Sequence, residues 1–166
     1  MWIALLLTMI AVGYDLKSFK IPNGLTWGGI IAGLCLAGLG GPSVLLDALG
    51  GALLPICLLW IPCRLRMIGA GDLKLLGMCG AFGGTGKSLQ LLGFSFAVGA
   101  VIALTTMLRR GNAAERFSYL AEYLKRGLQT GRWPSYLEGS CQDGVRIHFS
   151  VPILIGQAIC CLLLVA

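Results

Sequence analysis

Six apolar stretches, near residues 1–19, 22–40, 44–62, 67–84, 88–108 and 148–166, take up most of this 166-residue chain. Each approaches the roughly 20 mostly apolar residues that a helix needs to cross a hydrocarbon core. Hydrophobic residues make up 57% of the chain and charged ones only 12%, against roughly 45–50% apolar in soluble domains. The expected fold is therefore all-α: a polytopic membrane bundle of about six transmembrane helices forming a single domain over 1–166, with no room for a separate soluble domain. Met1 to Tyr14 contains no Lys or Arg and no small-residue cleavage site follows, so this stretch reads as a first span rather than a signal peptide. The helix is expected to continue through Asp15, with Lys17 and Lys20 snorkelling to the interface.

The net charge of +6 gains meaning from where the cations fall. If the spans alternate in direction, Lys17, Lys20, Arg64, Arg66, Lys74, Arg109, Arg110, Arg116, Lys125, Arg126, Arg132 and Arg146 all lie on one face and Lys87 alone on the other. The positive-inside rule makes the richer face cytoplasmic. This places the protein in the cytoplasmic (inner) membrane as a multi-pass chain with both termini on the far side. The charge reports topology, and no nucleic-acid partner is expected.

Several features invite function and read more simply as structure. The seven cysteines (Cys35, Cys57, Cys63, Cys79, Cys141, Cys160, Cys161) include no Cys-x-x-Cys pair, so they read as small hydrophobes and no metal is expected. Gly24, Gly28, Gly29 and Gly33 suit close helix packing. Asp47, at the opposite end from the other acids, reads as an interfacial or helix-start charge. Ala81-Phe82-Gly83-Gly84-Thr85-Gly86-Lys87-Ser88 fits a permissive nucleotide-binding pattern, but it joins two apolar spans instead of a strand and a helix, so no nucleotide is expected. His148 reads as an interfacial residue. In the cytoplasmic loop 109–147, between the fifth and sixth spans, Phe117, Leu120, Leu124 and Leu128 recur at helical spacing among charges, as in an amphipathic helix on the membrane surface. After it, Gly127 to Gly144, with Trp133 and Tyr136, reads as an interfacial connector or a docking surface.

Asp15 and Asp72 resist such readings. A charged Asp at a bilayer centre costs roughly 2.5–3.5 kcal/mol, so acids at the margins of apolar spans usually serve a proton, an ion or a reaction. Asp15 closes the first span and Asp72 opens the fourth, which brings both to the same depth on the cytoplasmic side. Two carboxyls held together share a proton, one acting as base toward water and the other as acid toward a carbonyl. Gly69 and Gly71 allow close approach before Asp72. Pro22 ends the first helix at the residue before it, and Asn23 is placed to cap the second.

Asp15-Leu16-Lys17-Ser18-Phe19-Lys20-Ile21-Pro22-Asn23 and Gly69-Ala70-Gly71-Asp72-Leu73-Lys74-Leu75 together resemble the two motifs of the type IV prepilin peptidases, membrane aspartic proteases of the Gly-x-Gly-Asp kind. The resemblance implies that Asp15 and Asp72 are the catalytic pair in a six-helix bundle with a cytoplasm-facing site. It implies a prepilin or pseudopilin substrate with a short basic leader, cut just before its apolar helix, and needs no cofactor. The short form is similar to the peptidases of Flp-type tight-adherence pili. Without the cysteine-bearing amino-terminal extension of larger members, methyl transfer is not expected. Lys17, Lys20 and Lys74 flank the acids and fit topology and snorkelling, while Lys74 could also ease ionisation of Asp72. His148-Phe149-Ser150-Val151-Pro152 departs from a Pro-Tyr/Phe-Gly-like string of the family. The rival reading is an ion- or proton-coupled transporter using the same acids as relay sites, which would favour internal symmetry and acids deeper in the bilayer.

Overall fold

The computed structural model describes residues 2–18, 20–111, 113–130 and 148–163, and among them the chain is helical with no strand. Its elements are α1 (Trp2–Ser18), α2 (Asn23–Leu39), α3 (Pro42–Arg64), α4 (Ala70–Arg110), α5 (Ala113–Thr130) and α6 (Ser150–Leu162). Two segments are long and apolar enough to cross a membrane, Pro42–Arg64 with 23 residues and Ala70–Arg109 with 40. The apolar helices α2 and α6 are shorter, at 17 and 13 residues.

The two spans expected near 67–84 and 88–108 form one element, α4, broken at Gly84, where φ is 76° and ψ 179°. Only glycine adopts that backbone without strain. In a continuous helix residues 80 and 88 would be about 12 Å apart. Here a Cβ on Gly80 would lie 2.9 Å from Ser88 Oγ, so the chain reverses at Gly84 and the two parts of α4 pack as separate helices.

Asp47 explains how that reversal is held. Its Oδ1 accepts the Thr85 backbone N–H at 3.1 Å and also the Thr85 hydroxyl. A helix start leaves N–H groups without partners, and Asp47 satisfies one from a neighbouring helix. It therefore caps the second part of α4 and not the start of its own helix. Ser88 Oγ donates to the Gly51 carbonyl at 2.9 Å. Thr85 and Ser88 of the Gly-rich stretch thus both direct donors into α3.

Close packing comes from small residues. Cβ atoms on Gly51 or Gly80 would fall on the carbonyl oxygen of the other, so α3 and the first part of α4 touch backbone to backbone. On α2, Gly29 meets Leu7 and Met78, and Gly33 meets Ala81 and Phe82, whereas Gly24 and Gly28 face open space. Two of the four glycines expected to pack do so. The core is centred on α4, with Leu75, Leu76, Met78 and Leu91 buried against Ala11, Leu59 and Ile153. In α1, Thr8 spends its hydroxyl on the Ala4 carbonyl at 2.8 Å and touches Cys79 Sγ at 3.3 Å. Cys79, Cys160 and Cys161 are buried, Cys35 and Cys57 exposed, and all are free thiols.

Large apolar side chains also cover much of the outside. Trp2, Leu6, Leu46, Trp60, Val101 and Leu162 are each more than half exposed, and they lie on α1, α3, α4 and α6. Soluble proteins seldom show apolar patches beyond a few hundred Å², so this surface suits hydrocarbon. The amphipathic helix expected after Arg109 is present as α5, with Tyr123 buried and an Arg126–Glu122 ion pair. The connector expected from Gly127 begins later than that, since α5 continues to Thr130; its remainder, with Trp133, Tyr136 and Cys141, lies outside the described residues, as does Phe19.

Candidate active site

The α3–α4 connection delivers Asp72. Ile61 and Pro62 carbonyls accept the N–H groups of Leu65 and Met67, at 3.0 and 2.9 Å, and Arg66 takes a left-handed φ of 56°. Gly69 then stands at the N-cap of α4 in extended conformation and accepts Leu73 N–H at 3.2 Å. Asp72 is the third residue of the helix, where a carboxylate gains from the exposed N–H groups and the helix dipole. Its side chain folds back over Gly69, whose missing Cβ would sit 3.0 Å from Oδ2. Gly71 has a different task, since a Cβ there would meet Ile21 at an ordinary 3.5 Å. The two glycines are not equivalent.

Asp15 arrives on the last turn of α1 and is 9% exposed. A buried carboxylate needs hydrogen-bond partners, and it finds them on α6. Ser150 Oγ donates to Asp15 Oδ2 at 2.5 Å, and His148 Nδ1 lies 3.0 Å from the same oxygen. The half-buried Asp72 carboxyl is within electrostatic range of both Asp15 and His148. The structure thus brings both expected acids to one end of the bundle and adds two residues from the start of α6.

The remaining expected site residues form a brace beside the acids. Pro22 occupies the N-cap of α2 and its carbonyl accepts Leu25 and Thr26 N–H. Asn23 does not cap, because it is already the first helical residue and no side-chain cap bond is made. Its Oδ1 instead accepts Lys74 Nζ at 2.8 Å. Lys74 therefore joins the two sequence motifs. Lys17, Lys20, Arg64 and Arg66 belong to the same end, while Lys87 lies beside Gly84 and Asp47 at the other.

Sequence reasoning did not place His148 or Ser150 beside Asp15. One available signal was that His148 is the single histidine of the chain and opens the last apolar stretch, on the same side as both acids if the spans alternate. No group of three or more His, Cys, Asp or Glu among the described residues is arranged to hold a metal. Two carboxyls at one end of the bundle, one of them bonded to a serine and beside a histidine, are groups able to take up and release protons.

No curated protein and no solved structure matches the chain. Residues 2–104, which carry both acids, the α2 start and the Gly69 to Asp72 turn, match the model of the type IV leader peptidase family. With that match covering well over half its length, the chain belongs to the type IV leader peptidase family.

Proposed function

We propose that this protein is a membrane aspartic endopeptidase that removes the short basic leader from prepilin-like precursors, of the Flp type, at the cytoplasmic membrane face. Asp15 and Asp72 are its catalytic pair. The observation that supports the reading is that both acids, from helices far apart in sequence, lie at the end of the bundle that also carries Lys17, Lys20, Arg64, Arg66 and Lys74. That cationic end suits the cytoplasmic side, with about six spans reached by counting the two parts of α4 separately.

In the reaction, one carboxylate takes a proton from water as the water oxygen attacks the scissile carbonyl carbon. The other carboxyl gives its proton to the carbonyl oxygen. Collapse of the tetrahedral intermediate breaks the C–N bond, the leaving amine takes a proton from the pair, and a new carboxyl terminus remains on the leader. The chemistry uses one water and no cofactor.

The test is co-expression with a candidate Flp-type prepilin, read as a mobility shift on leader removal. Asp15→Asn and Asp72→Asn are each expected to abolish the shift while the protein still inserts. Processing at the wild-type level by either variant would exclude the dyad.

A further inference from the structure

His148 and Ser150 lie beyond the residues that match the family model, yet both end on one atom of Asp15. Ser150 is fully buried. A serine in the first turn of a helix commonly bonds to nearby backbone, but this hydroxyl goes to a carboxylate 135 positions away. His148 approaches the same Oδ2 from two residues earlier. Between them, the Phe149 ring packs against Phe96 at 5.4 Å between centroids and lies over Gly99. That wedge seats the start of α6 on the second part of α4 and leaves both neighbours converging on Asp15.

We infer that His148 and Ser150 are positioning residues, a two-donor clamp that fixes the Asp15 rotamer and reserves Oδ2 as an acceptor, so that Oδ1 is the oxygen working with Asp72 and water. The inference rests on the reading of Asp15 as one of the catalytic pair. With the Ser150 O–H and, when Nδ1 carries its proton, the His148 N–H both directed at Oδ2, the carboxyl cannot turn without breaking two bonds. Oδ1 has no hydrogen bond among the described residues. A reacting group displaced by an ångström can lose about a hundred-fold in rate, and groups behind the reacting residue set that geometry. Neither residue needs to touch substrate, so the effect belongs in kcat and not in KM.

The test uses the full chain in detergent micelles and a fluorescent peptide with a Lys-rich leader followed by about 20 apolar residues. Ser150→Ala and His148→Leu are each expected to lower kcat roughly ten- to a hundred-fold, the scale of a lost hydrogen bond to a charged group, with KM unchanged. His148→Asn, whose amide N–H replaces the Nδ1 donor, recovers most of the loss. Asp15→Asn is run beside them. Wild-type cleavage by Asp15→Asn removes the catalytic pair and the clamp together. An inactive Asp15→Asn with wild-type kcat in both Ser150→Ala and His148→Leu overturns the clamp alone, as does equal loss in His148→Leu and His148→Asn. Should Ser150→Ala fail to fold, the half-buried His148 pair still decides.

Discussion

Lys74 Nζ and Asn23 Oδ1, 2.8 Å apart, tie the start of α2 to the start of α4 and so join the two motifs that carry the acids. In sequence the pair is 51 positions apart. Its role is positional: it holds the Ile21 to Asn23 turn against the helix that presents Asp72.

A double-mutant cycle on that pair is the first prediction. Lys74→Met and Asn23→Ala each lower leader cleavage, and the double variant loses little more than either single one. The coupling energy in stability is expected to stay below about 1 kcal/mol, because the bond is open to solvent. Full additivity of the two losses in kcat would show that the residues act separately.

Gly69 and Gly71 should separate in their effects. Gly69→Ala puts a methyl group 3.0 Å from Asp72 Oδ2, whereas the added Cβ of Gly71→Ala meets Ile21 at 3.5 Å. Cleavage kinetics should show the larger fall in kcat for Gly69→Ala, on the order of ten- to a hundred-fold for a displaced reacting group. Equal losses would mean that both glycines serve only the bend.

Gly80→Ala should destabilise the protein without touching the chemistry. The added methyl overlaps the Gly51 carbonyl backbone and also crowds Ser88 Oγ, and overpacking of this kind costs typically 1–3 kcal/mol. Thermal unfolding in micelles would report it as a lowered Tm, while kcat of the folded fraction stays near wild type.

Reversal of the chain at Gly84 gives a paired prediction at the far end. Gly84→Ala forces a side chain into a glycine-only conformation, a cost of order 1–3 kcal/mol, and places it against the Asp47 carboxylate. Asp47→Ala removes the acceptor of both Thr85 donors and lowers Tm as well. Since neither lies at the Asp15 end, KM and kcat of the folded enzyme should be unchanged. A selective loss of kcat in Asp47→Ala would instead make Asp47 part of the reaction.

Much was legible in the residue order. Apolar runs of helical length, the break at Ile21-Pro22-Asn23 and the reversal near Gly84 follow from local chemistry: hydrocarbon burial, a proline that restricts its predecessor, and a glycine where the backbone goes left-handed. The presence of α5 followed from apolar residues at helical spacing. Asp15 and Asp72 stood out because acids are costly beside apolar spans, and alternation of spans put them at one level.

Other features depended on which side of a helix faces which neighbour. The small-residue spacing of α2 could not say that Gly29 and Gly33 pack while Gly24 and Gly28 do not. Asp47 read as a charge for its own helix because only the folded chain brings Thr85 to it. Asn23 had the composition of a cap, yet its side chain was drawn across to Lys74. His148 and Ser150 were unremarkable in a string that departs from the family habit. Sequence by itself determined the helices, the cationic end and the two acids, since these rest on composition and short-range conformational preference. Tertiary structure alone decided that Asp15 is held through one oxygen by α6, because such a bond depends on helix rotation and depth across 135 positions, to which no local preference refers.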